Sequence, residues 1–177
     1  MPTIITGDIH YSSDPKNAYR FAFTEWLCKE IKKLNVYELI ILGDLTDQKD
    51  EHNSELVNKV VDDLSKLATL CPVTIIPGNH DYISDGCAFF RFVRRIQNIV
   101  WFNEPTEFQS PDIGKCLALP HNNNWAKVWP PLLKKKYDYV YTHCTVEGAT
   151  AGFGRKLSGI PLETFKGQNI VSGDIHV

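Results

Sequence analysis

Apolar positions along the chain follow two periods. Residues 3–6, 38–42, 73–76, 99–102, 115–119, 139–142 and 169–171 are short runs rich in Val, Ile, Leu, Thr and Tyr. Their length and β-branched content predict strands. Residues 16–34 instead space Phe21, Leu27, Cys28, Ile31 and Leu34 along one helical stripe. Residues 54–70 do the same with Leu56, Val57, Val60, Val61, Leu64 and Leu67. A short helix is predicted over 88–96, and another is ended by Lys134, Lys135 and Lys136, where cations complement the helix dipole. Residues 103–114 carry Pro105, Pro111 and Gly114 and read as turns; 121–129 read as a polar, aromatic loop; the glycine-rich 148–167 read as a loop with a turn of helix. The succession β-α-β-α-β predicts a mainly parallel sheet flanked by helices, an α/β class.

Composition narrows this to one soluble globular domain over 1–177. The chain has 177 residues, 43% hydrophobic and 23% charged, with a net charge of −2. Four Trp, seven Tyr and nine Phe are too many apolar anchors for a disordered chain. No apolar run approaches the roughly 18 residues of a membrane span. The start has no basic segment, so no secretory leader is expected and the cytoplasm is the expected location. The near-neutral balance gives no global pull toward nucleic acid; such a partner would need a local basic patch. Five cysteines without a CxxC pair fit a reducing compartment and exclude a disulfide framework or thiolate zinc site.

Chemistry collects where strands end. Residues 4–7 lead to Asp8 and His10; 39–43 lead to Asp44; 73–78 lead to Asn79 and His80; 139–142 lead to His143; 170–173 lead to Asp174 and His176. In open α/β sheets ligands bind beyond the carboxyl ends of the strands. Singly, each Asp or Asn would be a turn or cap residue. Together they predict a mixed nitrogen–oxygen pocket suited to Mn, Fe or Zn, with more donors than one ion takes. Two ions about 4 Å apart, bridged by a carboxylate, are the expected occupants, and their chemistry is phosphoester hydrolysis.

The motifs Asp8-Ile-His10, Gly43-Asp44-Leu-Thr-Asp47, Gly78-Asn79-His80-Asp81, His143 and Gly173-Asp174-Ile-His176 resemble the calcineurin-like metallophosphoesterases. The segment from Thr142-His143 to Gly148-Ala149 is similar, more particularly, to SbcD-type DNA-repair nucleases, and the organisation to compact phage phosphoesterases. The resemblance implies a four-layer α/β/β/α sandwich. It implies one metal on Asp8, His10, Asp44 and His176 and a second on Asp44, Asn79, His143 and Asp174, with Asp44 bridging. His80 would stand outside the ligand set and protonate the leaving oxygen, its ring oriented by Asp81 or a neighbouring group. Asp47 would brace the Gly43–Asp47 loop or a ligand histidine. A metal-bridging hydroxide would attack phosphorus in line. By the same analogy, DNA or another phosphoester is the substrate and an ATPase subunit a partner.

This chain departs from the family in two places. The family pattern Gly-His-x-His appears here with Asp174 for its first histidine. Three carboxylates (Asp8, Asp44, Asp174) against two divalent ions favour harder metals, Mn above all or Mg. Val177 follows His176 directly, where the family continues, so the second sheet is expected to be incomplete. The leading expectation is a phosphodiesterase acting as a DNA nuclease. The rival expectations are a phosphomonoesterase acting on phosphoprotein or nucleotide, and a metal-binding interaction module without turnover. Outside the motifs, His121 is expected to be a loop histidine, His52 a solvated residue before a helix, and Trp125 and Trp129 half-buried loop aromatics. Arg91, Arg94 and Arg95 are expected on a wet face, and Arg155-Lys156 near a phosphodiester backbone.

Overall fold

The computed structural model describes residues 2–175. Twelve strands among these residues run β1 (Thr3–Gly7), β2 (Glu38–Leu42), β3 (Val73–Ile75), β4 (Tyr82–Ser84), β5 (Cys87–Ala88), β6 (Ile99–Trp101), β7 (Thr106–Ser110), β8 (Gly114–Leu119), β9 (Tyr139–His143), β10 (Thr150–Ala151), β11 (Arg155–Lys156) and β12 (Ile170–Gly173). The α-helices are α1 (Tyr19–Leu34), α2 (Ser54–Ala68) and α3 (Trp125–Leu132). One sheet has the order β1-β2-β3-β6, all parallel. The other has the order β12-β9-β8-β7, parallel except for β7. Two antiparallel ribbons, β4–β5 and β10–β11, stand apart from both.

Four layers follow from how side chains alternate along the strands. In β2, Leu39 and Ile41 join α1 (Leu27, Cys28, Ile31) and α2 (Val60, Leu64, Leu67) in one core. Ile40 and Leu42 point the other way and meet Cys116, Ala118 and Tyr141 of the second sheet. In β8, Leu117 and Leu119 face outward onto Trp129, Leu133 and Tyr137. The chain thus packs helices, sheet, sheet and helix, the expected α/β/β/α sandwich. Every residue of β2 is buried, as a strand covered on both faces must be. One buried acid ties the sheets: Glu38 accepts from the hydroxyls of Thr74 (2.7 Å) and Ser110 (3.1 Å).

Four local expectations are corrected. Residues 121–129 are not all loop: α3 begins at Trp125, and the three lysines lie past its end at Leu132. Burial of Trp129, 1% exposed and packed beside Trp125 one turn earlier, outweighs a weak local pattern and two prolines in the last turn. Residues 103–114 contain strand β7, an edge strand whose Glu107 and Gln109 face outward and which pairs with β8 through the turn at Pro111–Gly114. Its hydrogen bonds come from pairing with β8, which the propensity of its own residues does not carry. Residues 89–95 form a 3-10 segment rather than an α-helix, burying Phe90 and Val93 three residues apart. Residues 148–167 hold the β10–β11 ribbon and two 3-10 turns. Among the described residues no helix is long and apolar enough to cross a membrane.

Candidate metal centre

The carboxyl ends of β1, β2, β3, β9 and β12 converge on one rim. The sheets meet there directly: His143 Nδ1 donates to the Leu42 carbonyl at 2.6 Å. That bond fixes the ring and leaves Nε2 as the donor atom facing the pocket. From Nε2 the distances are 3.1 Å to Asn79 Oδ1, 3.3 Å to Asp44 Oδ2, 3.9 Å to Asp174 Oδ1 and 4.0 Å to Asp8 Oδ1. His10 Nε2 lies 3.7 Å from Asp44 Oδ2 and 3.9 Å from Asp8 Oδ1. Donors about 2.0–2.2 Å from a shared ion stand roughly 3–4 Å from each other. The side chains therefore fit a metal centre, and Asp44 belongs to both halves of it. Its carboxylate completes two metal-capable groups, one with Asp8 and His143, the other with His10 and His80.

Six of the seven expected ligands are brought together: Asp8, His10, Asp44, Asn79, His143 and Asp174. Asp8 sits between the halves, as near to His143 as to His10. His176 lies outside the described residues. His80, expected outside the ligand set, has a donor atom within 4.8 Å of His10 and Asp44.

The backbone is bent to make this cluster. Asp8, His10, Asp44 and Asp174 all have positive φ, at 54°, 51°, 52° and 74°. The left-handed region costs an L-residue roughly 1–2 kcal/mol, and such outliers gather at functional sites. The loops that hold them zip onto one another: Asp8 N–H donates to Gly43 O (3.1 Å), His10 N–H to Asp44 O (2.9 Å) and Tyr11 N–H to Leu45 O (2.7 Å). Two glycines are required by space. At Gly43 a Cβ would stand 2.2 Å from Gly78 N; at Gly78 it would stand 2.3 Å from Asp44 Oδ1 and 2.7 Å from the His143 ring.

Asp81 does not orient the His80 ring. Its Oδ2 accepts from the backbone N–H groups of Gly78 (2.7 Å) and Asp44 (2.8 Å), and its Oδ1 from Leu45 N–H (3.0 Å). The turn closed by Asp81 N–H to Gly78 O sends neighbouring side chains in opposite directions, Asp81 inward and His80 toward the open rim. The His80 ring is held instead by the Asp47 carbonyl, 2.6 Å from Nδ1. Asp47 also places its carboxylate 3.7 Å from His10 Nδ1, within ion-pair reach but beyond a hydrogen bond. Thr145 and Ser172 had no sequence signal beyond closeness to His143 and Gly173. The Thr145 hydroxyl bonds the Asp174 carboxylate, and Ser172 Oγ accepts from Cys144 N–H at 3.0 Å.

Electrostatics favours positive charge at the pocket. Burial pulls the His143 imidazole down, yet Asp44 and Asp8 carry it up to about 9. Burial pushes Asp44 up, and His143 with the His80 N–H holds it below the usual carboxylate range. The same surroundings would receive a cation. Asp81 is raised to about 6 by burial and by the Asp44 charge.

A polar cleft of about 400 Å³ adjoins Asn79, lined among others by Lys49, Tyr82, Asp85, His121 and Asn123. His121 is a loop residue, as expected, whose backbone N–H donates to Pro77 O (2.9 Å) and whose ring stands in this cleft near Tyr82. Burial lowers its pKa. His52 is half-buried rather than fully solvated; it bonds Thr46 Oγ1 (2.8 Å) and packs on Phe89 and Phe90.

The family model for calcineurin-like phosphoesterases matches residues 1–177, and the chain belongs to that family. It is accordingly a metal-dependent phosphoric ester hydrolase of a family that uses two metal ions. No curated protein matches it at a significant level.

Proposed function

We propose that the protein is a phosphodiesterase acting on nucleic acid, with DNA as its substrate and Mn²⁺ as its preferred metal. The carrying observation is the shared Asp44 at the junction of two donor groups, with an open polar cleft beside Asn79. A monoester presents one organic substituent to the centre, whereas a diester needs room for two, and the cleft supplies the second berth. Three carboxylates with two histidines and an amide oxygen form a hard donor set, which supports Mn²⁺.

Asp8, His10 and Asp44 would hold one ion, and Asp44, Asn79, His143 and Asp174 the other. When bound, the two ions supply positive charge to the phosphate oxygens and activate a water for attack. The chain does the rest. Asp44 is fixed by His80 N–H (2.9 Å to Oδ1), so its other oxygen faces the pocket. His143 is fixed by Leu42 O. His80 keeps its Nδ1–H in a hydrogen bond to Asp47 O, and as imidazolium it would give the proton on Nε2, at the open side, to the leaving oxygen. Asp81 contributes by holding the Asp44 and Gly78 backbone in place.

Hydrolysis of bis-p-nitrophenyl phosphate and of single- and double-stranded DNA with Mn²⁺ tests this reading. Asp44→Ala is expected to lose metal by elemental analysis and activity by about 10³-fold or more. Metal-dependent turnover surviving that change would overturn the assignment. His80→Gln is expected to lose about 10²–10⁴-fold in kcat with the metal content unchanged. A lost ion in His80→Gln would make His80 a ligand instead.

A further inference from the structure

Beyond His143 the chain leaves the rim as an arm and returns. Its neck is tight: Ile160 N–H donates to Thr145 O and Glu147 N–H to Ile160 O, both at 2.9 Å. Val146 and Ile160 pair as an isolated bridge and are both buried. A Cβ on Gly159 would stand 2.2 Å from Thr145 O, so the two legs pass at backbone contact. The arm continues through Gly148 N–H to Leu157 O (3.0 Å) and Leu157 N–H to Ala149 O (2.8 Å) into the β10–β11 ribbon. At its tip Phe153 is fully exposed, at 113%, between Gly152 and Gly154. Its φ of 60° is unfavourable for a bulky aromatic. Arg155 and Lys156 follow directly on the ribbon and are exposed.

Folding gains nothing from this ring. It buries no area, its backbone is strained, and none of the described residues covers it. The neck, by contrast, is anchored at Thr145, whose hydroxyl holds Asp174 at the centre. Phe153 lies eight residues further on, at most about 29 Å away at full extension. A fully exposed ring does not touch the pocket, so only a ligand longer than a single ester group meets both. An aromatic face beside two cations suits a polymer of alternating phosphates and flat rings.

We propose that the arm is a second contact for the substrate strand, with Phe153 stacking on an unpaired base and Arg155 and Lys156 on the adjoining phosphates. The inference rests on the nucleic-acid reading above and deepens it: the enzyme takes strands whose bases are accessible. A base inside a duplex is already stacked on both sides and offers Phe153 no face.

The test is fluorescence anisotropy of a short labelled DNA strand in EDTA, beside an abasic strand of equal length. Phe153→Ala is expected to weaken the base-bearing strand about tenfold and leave the abasic strand unchanged. Phe153→Tyr should restore affinity, and Arg155→Ala should weaken both strands. Turnover of bis-p-nitrophenyl phosphate by Phe153→Ala should equal that of the parent. Equal affinity of parent and Phe153→Ala for the base-bearing strand, with DNA still cleaved, overturns the arm's role alone and points to a protein partner for the ring. A parent that hydrolyses the small diester but neither binds nor cleaves DNA overturns the nucleic-acid reading, and the arm's role with it.

Discussion

The rim of the first sheet carries Asp8, His10, Asp44, Asn79 and His80, whereas that of the second carries His143 and Asp174, and the two are braced by different chemistry. On the first, backbone is tied to backbone. The loops after β1 and β2 are laced by main-chain bonds, and the Asp81 carboxylate gathers three N–H groups from the loops after β2 and β3. On the second, side chains do the bracing: His143 leans on a carbonyl of the other sheet, and Asp174 is held by the Thr145 hydroxyl and by its own N–H to Asp8 (3.0 Å). The first rim is thus built into its loops, and the second is positioned against it. Disturbing the first should cost fold and site together. Disturbing the second should cost metal binding with little loss of fold.

Asp81→Ala is the strongest way to break that contrast. It strands three N–H groups, all of them within the site loops, and is expected to destabilise the protein by roughly 3–6 kcal/mol in urea unfolding. A loss below about 1 kcal/mol would show that water replaces the carboxylate and that the first rim is no stiffer than the second. Thr145→Val probes the other rim. It keeps shape and removes the hydroxyl from Asp174, so metal affinity by calorimetry should fall about tenfold while the unfolding midpoint holds. An unfolding loss matching that of Asp81→Ala would erase the distinction.

The smallest effect lies far from the centre, on the outer edge of the second sheet. Glu107 of β7 accepts from Lys135 (2.6 Å) and the Tyr137 hydroxyl (2.9 Å), with Lys115 at 3.2 Å. These partners hold its carboxyl down at about 2. A depressed carboxyl stabilises the fold above its unfolded value of 4.5 and loses that contribution as pH falls through about 2. Glu107→Gln should therefore lower the urea midpoint slightly at pH near 6 and converge with the parent at acid pH. A gap that is constant with pH would mean the side chain acts through packing.

Much of the site was legible because its chemistry is punctuated. Strand runs ending in Gly and then Asp or Asn placed Asp8, Asp44, Asn79 and Asp174 at strand ends without any knowledge of pairing, and the run 139–142 placed His143 in the same way without a glycine. The short apolar runs likewise foretold the strands of a mainly parallel sheet, the unbroken run of β2 among them. What stayed hidden was non-local. Strand β7 has a polar sequence and exists through β8; a helix before the three lysines is expected, but its place at Trp125–Leu132 follows from the burial of Trp129. Asp81 carries the same motif whether it turns toward His80 or away, and the turn at Gly78 decides that. His121 lies beyond a strand end like the ligands do, yet only its bond to Pro77 O sets it beside Asn79.

The sequence by itself determined which residues can donate to a metal and that each follows a strand, because a parallel strand delivers its next residues to one edge whatever its neighbours are. The tertiary structure decided which donors meet, that Asp44 is shared, and that Phe153 is left exposed. Those are distances between segments as far apart as Asp8 and Asp174, and packing of two sheets on a common core sets them.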